Sequence, residues 1–461
     1  MAGSKAPVPL EFLHANQIRF VRVGWCDNAN VIRAKAIHIG ALERALQSLT
    51  AAPTGDIGIA LSTAQQAVPV TVDAPVSGGK LGPVGEVALV PDWSTLALLP
   101  YAPGQARVLG TMYQGSPWPW CPRYFLQRMI SAAAEAGITV QAAFESEFYL
   151  VYPPPSGTYA VSFTPADSTL FAATAAMDQH FEVINQIADA LVAQGVAVEQ
   201  YYPESGPGQQ EISVRYGPAM QAADQQIVFR ETVCAIARQH GLIASFVPKL
   251  FEQSAGSGCH LHLSLWQGDR NVMSNGQAKQ GELSDLAAAF VAGLLRHLPG
   301  LMAVTTPIPN SYRRLQPHCW SGAFRAWGYN NREAAVRVPL PASGSPSQIE
   351  LKTVDNAANP YLALGCAIAA GLDGIHHQLP LASPVQVDPG TLSDSERHQR
   401  GITRLPITLH EAIAHLRQDI VLLNALGDPL AQTFLAVRQA EWEAMHELTL
   451  ADELKLLLER Y

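Results

Sequence analysis

The run "CHLHLSLW" (259–266) alternates apolar and polar positions with a period of two, the pattern of a strand with one buried face. It therefore turns His260 and His262 the same way. "FESEFYL" has the same period, so Glu145 and Glu147 share one face while Phe144, Ser146 and Phe148 take the other. Strands and helices alternate from Pro122 onward. Pro122 opens the helix "PRYFLQRMISAAAEAG", which closes at Gly137. Strands follow at "VQAAFESEFYLVY", "QEISVRY", "CHLHLSLW", "AAVRVPL" and "IELKTV", with helices near 174–194, 218–240 and 283–298 and more toward the C-terminus. This order predicts an α+β domain organised around a large sheet.

The first hundred residues read differently. "IRFVRVGWCD" and "VIRAKAIHI" are strand-like runs on either side of Asn28-Ala29-Asn30, a hairpin turn, and a helix follows near 39–48. A Gly- and Pro-rich region runs from Pro53 to Pro91, and "EVALVPD" is a further strand. "YQGSPWPWCPRYF", with three prolines around two tryptophans, suits a rigid connection between two domains. The stretch 380–400 reads as a surface loop, and the pattern shows no internal repeat and no low-complexity tract.

Composition narrows the setting. At 461 residues the chain is long for one core and comfortable for two domains. A net charge of -9 without a block of like charges argues against a nucleic-acid or anionic-membrane surface. "MAGSKAPVPLEF" lacks the apolar core of a secretory signal, and no stretch of about eighteen apolar residues is uninterrupted. The six cysteines form no C-x-x-C pair and predict reduced, mostly buried thiols in a cytoplasmic protein.

The acidic positions change the picture. Two carboxylates side by side on a strand repel each other, and facing a cavity they need a cation. An H-x-H strand alone fits a solvated face as well as a ligand pair. Two further segments add acids: "YYPESGPGQQEISVRY" supplies Glu204 and Glu211, and "SQIELKTVDNAANPY" places Glu350 two residues before Lys352. Many carboxylates with histidine suit Mg²⁺ or Mn²⁺ better than a structural zinc, and such ions commonly serve nucleotide phosphates. Arginines able to clamp phosphate or carboxylate stand in "NSYRRLQP" (Arg313, Arg314) and "NNREAAVRVP" (Arg332, Arg337), although each alone reads as a surface ion pair.

Taken in order, "FESEFYL", "ESGPGQQEI", "PKLFEQSAGSGCHLHLSL", "NSYRRL", "NNREAAVRVP" and "ANPYLALGCAIAAGLDGI" resemble the glutamine synthetase family, class I-like, over nearly the whole chain. The resemblance implies a β-grasp domain over residues 10–110 and a large α+β catalytic domain over 115–461. It implies one metal ion on Glu147, Glu204 and Glu211, and a second on Glu145, His260 and Glu350. His262 and Ser264 match ATP contacts, Gly256 the glutamate-binding loop, and Arg314 the grip on the glutamate α-carboxylate. Arg332 and Arg337 match arginines that attract the transferred phosphate. The implied reaction is phosphorylation of the γ-carboxylate by ATP, then attack by an amine. The implied assembly is a dodecamer of two stacked hexameric rings with sites between subunits.

Several positions depart from that pattern. Trp320 stands where the family places a glutamate that takes a proton from ammonium, and no "FDGSS"-like segment occurs between residues 50 and 70. Ala255 replaces the loop asparagine, Lys352 replaces an arginine near the second metal ligand, and the "NLYDLP" adenylylation segment is missing. An indole offers an N–H donor and an apolar face where ammonium needs acceptors. The sequence thus predicts an ATP-dependent ligase joining glutamate to an organic amine packed against Trp320. Trp320 and the scarcity of new acids near that position favour an apolar alkyl- or arylamine over a polyamine. The alternatives are a glutamine synthetase using ammonia and a non-catalytic, ring-forming homologue that senses nucleotide or amine.

Overall fold

A computed structural model describes residues 8–51, 57–154, 163–274, 282–342 and 344–461. Residues 1–7 and residues 52–56, part of the stretch without an "FDGSS"-like segment, lie outside them, so the readings made there rest on sequence alone.

Two sheets organise the chain. The small N-terminal sheet has six strands, in the order Ile32–His38, Phe20–Cys26, Gln105–Gln114, Glu86–Leu98 and Ile59–Ser62, with Ser116–Pro117 paired to Gln105–Gln114. Its hairpin pairs Cys26 with Ile32 around the expected turn, but the turn is buried rather than exposed. Asp27 accepts hydrogen bonds from the Ala29 and Val31 backbones and from Arg33, while Asn30, at φ 61°, donates to the Asn356 carbonyl. Asn359 and Arg438 in turn donate to the Asp27 and Asn28 carbonyls. The turn thus anchors the small sheet to the large domain, since buried backbone groups must find partners. Burial pushes the Asp27 carboxyl upward against the pull of Arg33.

The large sheet runs Thr403–Arg404, Phe324–Tyr329, Ala334–Val338, Ile349–Leu351, Cys259–Gln267, Thr139–Tyr152, Gln209–Val214 and Val198–Pro203. Its apolar face, with Phe144, Leu261, Leu263 and Leu351, packs in one core with the helices Pro122–Glu135, Asp285–Thr305 and Pro360–His376. Between the last two, Gly293 and Gly374 allow backbone contact: a Cβ on Gly293 would lie 2.2 Å from the Ala370 carbonyl.

Helix Asp285–Thr305 outruns its expected end near 298 and carries Pro299 inside. An interior proline costs about 3 kcal/mol. Burial of Leu301, Met302 and Val304 offsets it. By length and composition this helix could cross a membrane, but 78% of its most apolar stretch is buried inside the protein. The expected loop at 380–400 instead contains the short helix Asp394–Gln399, started by a Ser393–Glu396 capping box. Four of the six cysteines are buried, and Cys319 is exposed.

Candidate active site

Strand register gathers the acids. Across four adjacent strands Arg337 pairs with Glu350, Glu350 with His262, and His260 with Glu145. On the far side of Thr139–Tyr152, Glu147 pairs with Glu211. Since Leu261 and Leu351 fill the opposite face, the polar row emerges on the open one. Period-two alternation therefore puts Glu145, Glu147, His260 and His262 on one face, as the strand patterns predict.

Glu350 is the hub of the row. Its oxygens lie 3.2 Å from Lys352 Nζ, 3.2 Å from His260 Nδ1 and 3.0 Å from Arg337 Nε. Burial works to raise its pKa, but Lys352 and the two histidines outweigh it and hold it at about 2. Burial likewise opposes ionisation of Glu145, and the bonds from His260 and His262 reverse it, holding that carboxyl well below the usual range. Burial and the Lys352 charge lower His260 to about 4, whereas the Glu145 bond raises His262 despite its burial. On the other side, burial and the Glu204 charge lift Glu147 to about 7. Burial, Glu145 and Glu147 lift Glu211 to about 10, and Tyr202 donates a short hydrogen bond to it.

One ligand atom each from Glu145, His262 and Glu350 lies within 4.8 Å of the others. The resemblance named His260 in that trio. His260 is no farther away, with Nδ1 3.2 Å from both carboxylates and Nε2 3.9 Å from Glu147. It therefore stands between the two groups of acids, and His262 joins the nearer one. The donor set, carboxylate oxygens with imidazole, fits a hard divalent cation. Glu350 Oε2 faces the Arg337 guanidinium at 3.0 Å, while Oε1 lies 3.2 Å from both His260 Nδ1 and Lys352 Nζ.

Arg314 is buried beside this row, and its Nη2 donates to the Lys352 and Val354 carbonyls at 3.1 and 3.0 Å. Gly256 lies against it: a Cβ there would meet Arg314 Cγ at 2.4 Å and the Pro248 carbonyl at 2.7 Å. Beyond His262 a recess of about 460 Å³ is lined by Glu145, Arg215, Tyr216, His262 and Gln348. An adjoining one of about 200 Å³ adds Ser264, Trp266 and Asn271.

Residues 119–457 match the family description "glutamine synthetase, catalytic domain". The chain belongs to the glutamine synthetase family. It is 41% identical to gamma-glutamylpolyamine synthetase GlnA3 of Streptomyces coelicolor over 78% of each chain. It is 34% identical to type-1 glutamine synthetase 1 of Dictyostelium discoideum over 96% of this chain and 90% of that one. Among solved structures, a GmaS/ADP complex superposes with a TM-score of 0.81 at 29% identity, covering 96% of this chain and 98% of that one. The protein is an ATP-dependent ligase of this family, whose members use divalent metals, bind small-molecule substrates and form oligomers.

Not every residue expected in a glutamine synthetase site joins the row. Arg332 is exposed, and its guanidinium lies over the Trp320 ring at 5.8 Å. Trp320 is itself 59% exposed. Glu204 turns one oxygen to the Ser205 backbone N–H at 2.7 Å and acts on Glu147 through its charge.

One premise fails. The acids judged missing near Trp320 are present: Glu333 accepts the Trp320 backbone N–H at 2.8 Å, and Asp388 reaches the loop through His318 at 2.6 Å. Glu333 was passed over as the neighbour of Arg332, and Asp388 is distant in sequence, so no local pattern showed them together. Gln209 was also missed. Its Nε2 ties Glu147, at 3.3 Å, to the Gly256 carbonyl and Ser257, a role hidden in the polar run "GQQE".

Gly256→Ala tests the glutamate side of the site. The added methyl must displace Arg314 or the backbone at Pro248, so we expect KM for glutamate to rise about tenfold or more, with KM for ATP little changed. Steady-state kinetics with each substrate varied in turn would check it; equal effects on both would show general disorder instead.

Proposed function

We propose that this protein joins the γ-carboxylate of L-glutamate to an organic amine, with ATP cleaved to ADP and phosphate. The observation that carries the reading is the exposed Trp320, held by Glu333, at the position where the resemblance expects a carboxylate in ammonia-using members of the family. A large, half-open indole offers a surface to the carbon skeleton of an amine. The names of two relatives, a gamma-glutamylpolyamine synthetase and the GmaS/ADP complex, support the same direction.

In this reading Arg314, fixed by two backbone carbonyls beside Gly256, holds the glutamate α-carboxylate. The nucleotide occupies the recess of Tyr216, Gln348 and Ser264, with its phosphates toward His262 and Arg337. A γ-carboxylate oxygen of glutamate attacks the terminal phosphorus, ADP leaves, and the amine nitrogen then displaces phosphate from the acyl carbon. Divalent cations, held by Glu145, Glu350 and the two histidines and by Glu147, Glu204 and Glu211, neutralise phosphate charge when bound. Arg337 and Lys352 add fixed positive charge along the same row. The family's oligomeric habit extends here to a dodecamer with sites closed by neighbouring subunits.

Because Glu333 and Asp388 flank Trp320, the reason for preferring an apolar monoamine falls away. A cationic amine, including a diamine, fits indole and carboxylates together. The test is ADP release with Mg²⁺, ATP and glutamate against ammonium, methylamine, isopropylamine, aniline, ethanolamine and putrescine. We expect one organic amine to exceed ammonium in kcat/KM by at least about tenfold, a differential of roughly 1.4 kcal/mol. Ammonium as the best nucleophile would return the protein to glutamine synthesis; no turnover would favour a sensor.

A further inference from the structure

The carboxylate lost at Trp320 leaves a chemical problem. An alkylamine or ammonia reaches the site at neutral pH as its ammonium form, whose nitrogen has no lone pair for attack. A group at the amine's side must take that proton.

Glu333 meets the requirement by position. Strand Ala334–Val338 runs antiparallel to Ile349–Leu351 with Arg337 opposite Glu350, and the Lys352 N–H continues the ladder to the Ala335 carbonyl at 2.9 Å. Glu333 is the turn residue immediately before Ala334–Val338, close enough to Lys352 for the Lys352 charge to act on its carboxyl. Glu333 therefore stands where the row's end at Lys352 meets the Trp320 loop.

Its two oxygens are used unequally. Oε1 accepts the Trp320 backbone N–H at 2.8 Å, which holds a loop where His318 and Trp320 both have positive φ, 60° and 53°. Oε2 has no hydrogen-bond partner among the described residues, although only 7% of the residue is exposed. A buried carboxylate oxygen without a partner costs free energy unless something binds there. The groups facing it are Asp388 and His318 from the neighbouring segments and Lys352 from the next strand, with Arg332 adjacent in the chain. Burial, with Asp388 adding to it, pushes the Glu333 carboxyl above the usual range against the pull of His318 and Lys352, which makes it a better base near neutrality.

We infer that Glu333 is the carboxylate that accepts the proton of the incoming amine, from a position one strand away from the carboxylate that Trp320 replaces. This inference rests on the amine-ligase reading for its substrate. The balance is complete without another reactant. Glu333 takes one proton from R–NH3⁺, and the freed nitrogen pair forms the C–N bond at the acyl carbon. The C–O bond to phosphate breaks, and the departing phosphate carries off the nitrogen's second surplus proton. Glu333 then returns its proton to solvent.

The experiment compares the full-length wild type with Glu333→Gln and Glu333→Ala in Mg²⁺, ATP and glutamate. Isopropylamine, putrescine and ammonium arrive protonated at neutral pH, whereas hydroxylamine arrives neutral and needs no base. Gln keeps an acceptor for the Trp320 N–H, so it separates proton transfer from loop support. For whichever protonated nucleophile the wild type uses, Glu333→Gln is expected to lower kcat/KM about 100-fold at pH 7. The deficit should shrink as pH rises, with hydroxamate formation kept within about threefold. Glu333→Ala should add a loss with hydroxylamine.

Unchanged use of protonated amines by Glu333→Gln, or equal losses with amine and hydroxylamine at every pH, would overturn the inference. A wild type that uses ammonium alone would refute the amine-ligase reading, while a Glu333→Gln defect with ammonium would still support the proton role. A wild type that uses only hydroxylamine would overturn both.

Discussion

Glu350→Gln is expected to lower kcat by about 1000-fold or more, the largest effect of any single conservative change in this site. Glu350 is the one carboxylate in contact with Lys352, Arg337 and His260 at once, and it faces His262 across the ladder. The amide removes the charge while keeping the shape. It therefore removes the direct ion-pair partner of Lys352, which is almost wholly buried. Breaking a buried pair from one side typically costs about 3–5 kcal/mol, so the variant should also melt lower. ADP release and thermal unfolding, measured together, separate the two losses: an inactive protein that is still folded at the assay temperature is the expected result. Turnover within tenfold of wild type would show that Glu350 is not at the centre of the chemistry.

Metal loading should be the second large effect, and it should release protons. Glu147 and Glu211 have folded pKa values of about 7 and about 10, both above the ordinary 4.5, because burial and neighbouring carboxylates disfavour a further negative charge. The sign follows from linkage. Without metal the folded chain holds more protons than the unfolded one between pH 4.5 and these values, so stability falls as pH rises through that window.

A divalent cation reverses the balance by favouring the ionised carboxylates. At pH 7 loading with Mg²⁺ or Mn²⁺ should release roughly one to two protons per chain. A cation at 100 times its Kd adds about 2.7 kcal/mol of stability. Chelation should consequently lower Tm more at pH 8 than at pH 6. Titration calorimetry in buffers of different ionisation enthalpy measures the protons. Absence of proton release, or an equal Tm loss at both pH values, would contradict this view of Glu147 and Glu211.

The parts of this site that lie on single strands were legible in the sequence. Alternation alone put Glu145 with Glu147 and His260 with His262, and the register then brought both pairs together with Glu350. What stayed hidden depends on contacts between distant segments. Glu333 and Asp388 meet at the Trp320 loop only because His318 and the Trp320 backbone are bonded to them. The Asn28-Ala29-Asn30 turn read as an ordinary hairpin end, since nothing local shows that Asn356 and Asn359 belong to its hydrogen-bond network. The helix expected near 283–298 runs on to Thr305 because Leu301 and Val304 enter a core that local propensity does not include.

The division of labour between His260 and His262 illustrates the same limit. Both lie on the predicted face, but which one completes a trio with Glu145 and Glu350 depends on side-chain placement: His262 converges with them within 4.8 Å, and His260 reaches toward Glu147 as well. Their pKa values move in opposite directions: burial and the Lys352 charge lower His260, whereas the Glu145 bond raises His262.

The most direct test of the central claim is the amine panel with the product identified: purified protein, Mg²⁺, ATP and glutamate, equimolar ammonium and organic amine in one reaction, and the amides resolved by mass. The account predicts a γ-glutamyl amide of the organic amine as the main product, formed one for one with ADP. Glutamine as the main product at equal concentrations would contradict it, and Trp320 would then be an exposed residue that an ammonia-using enzyme tolerates.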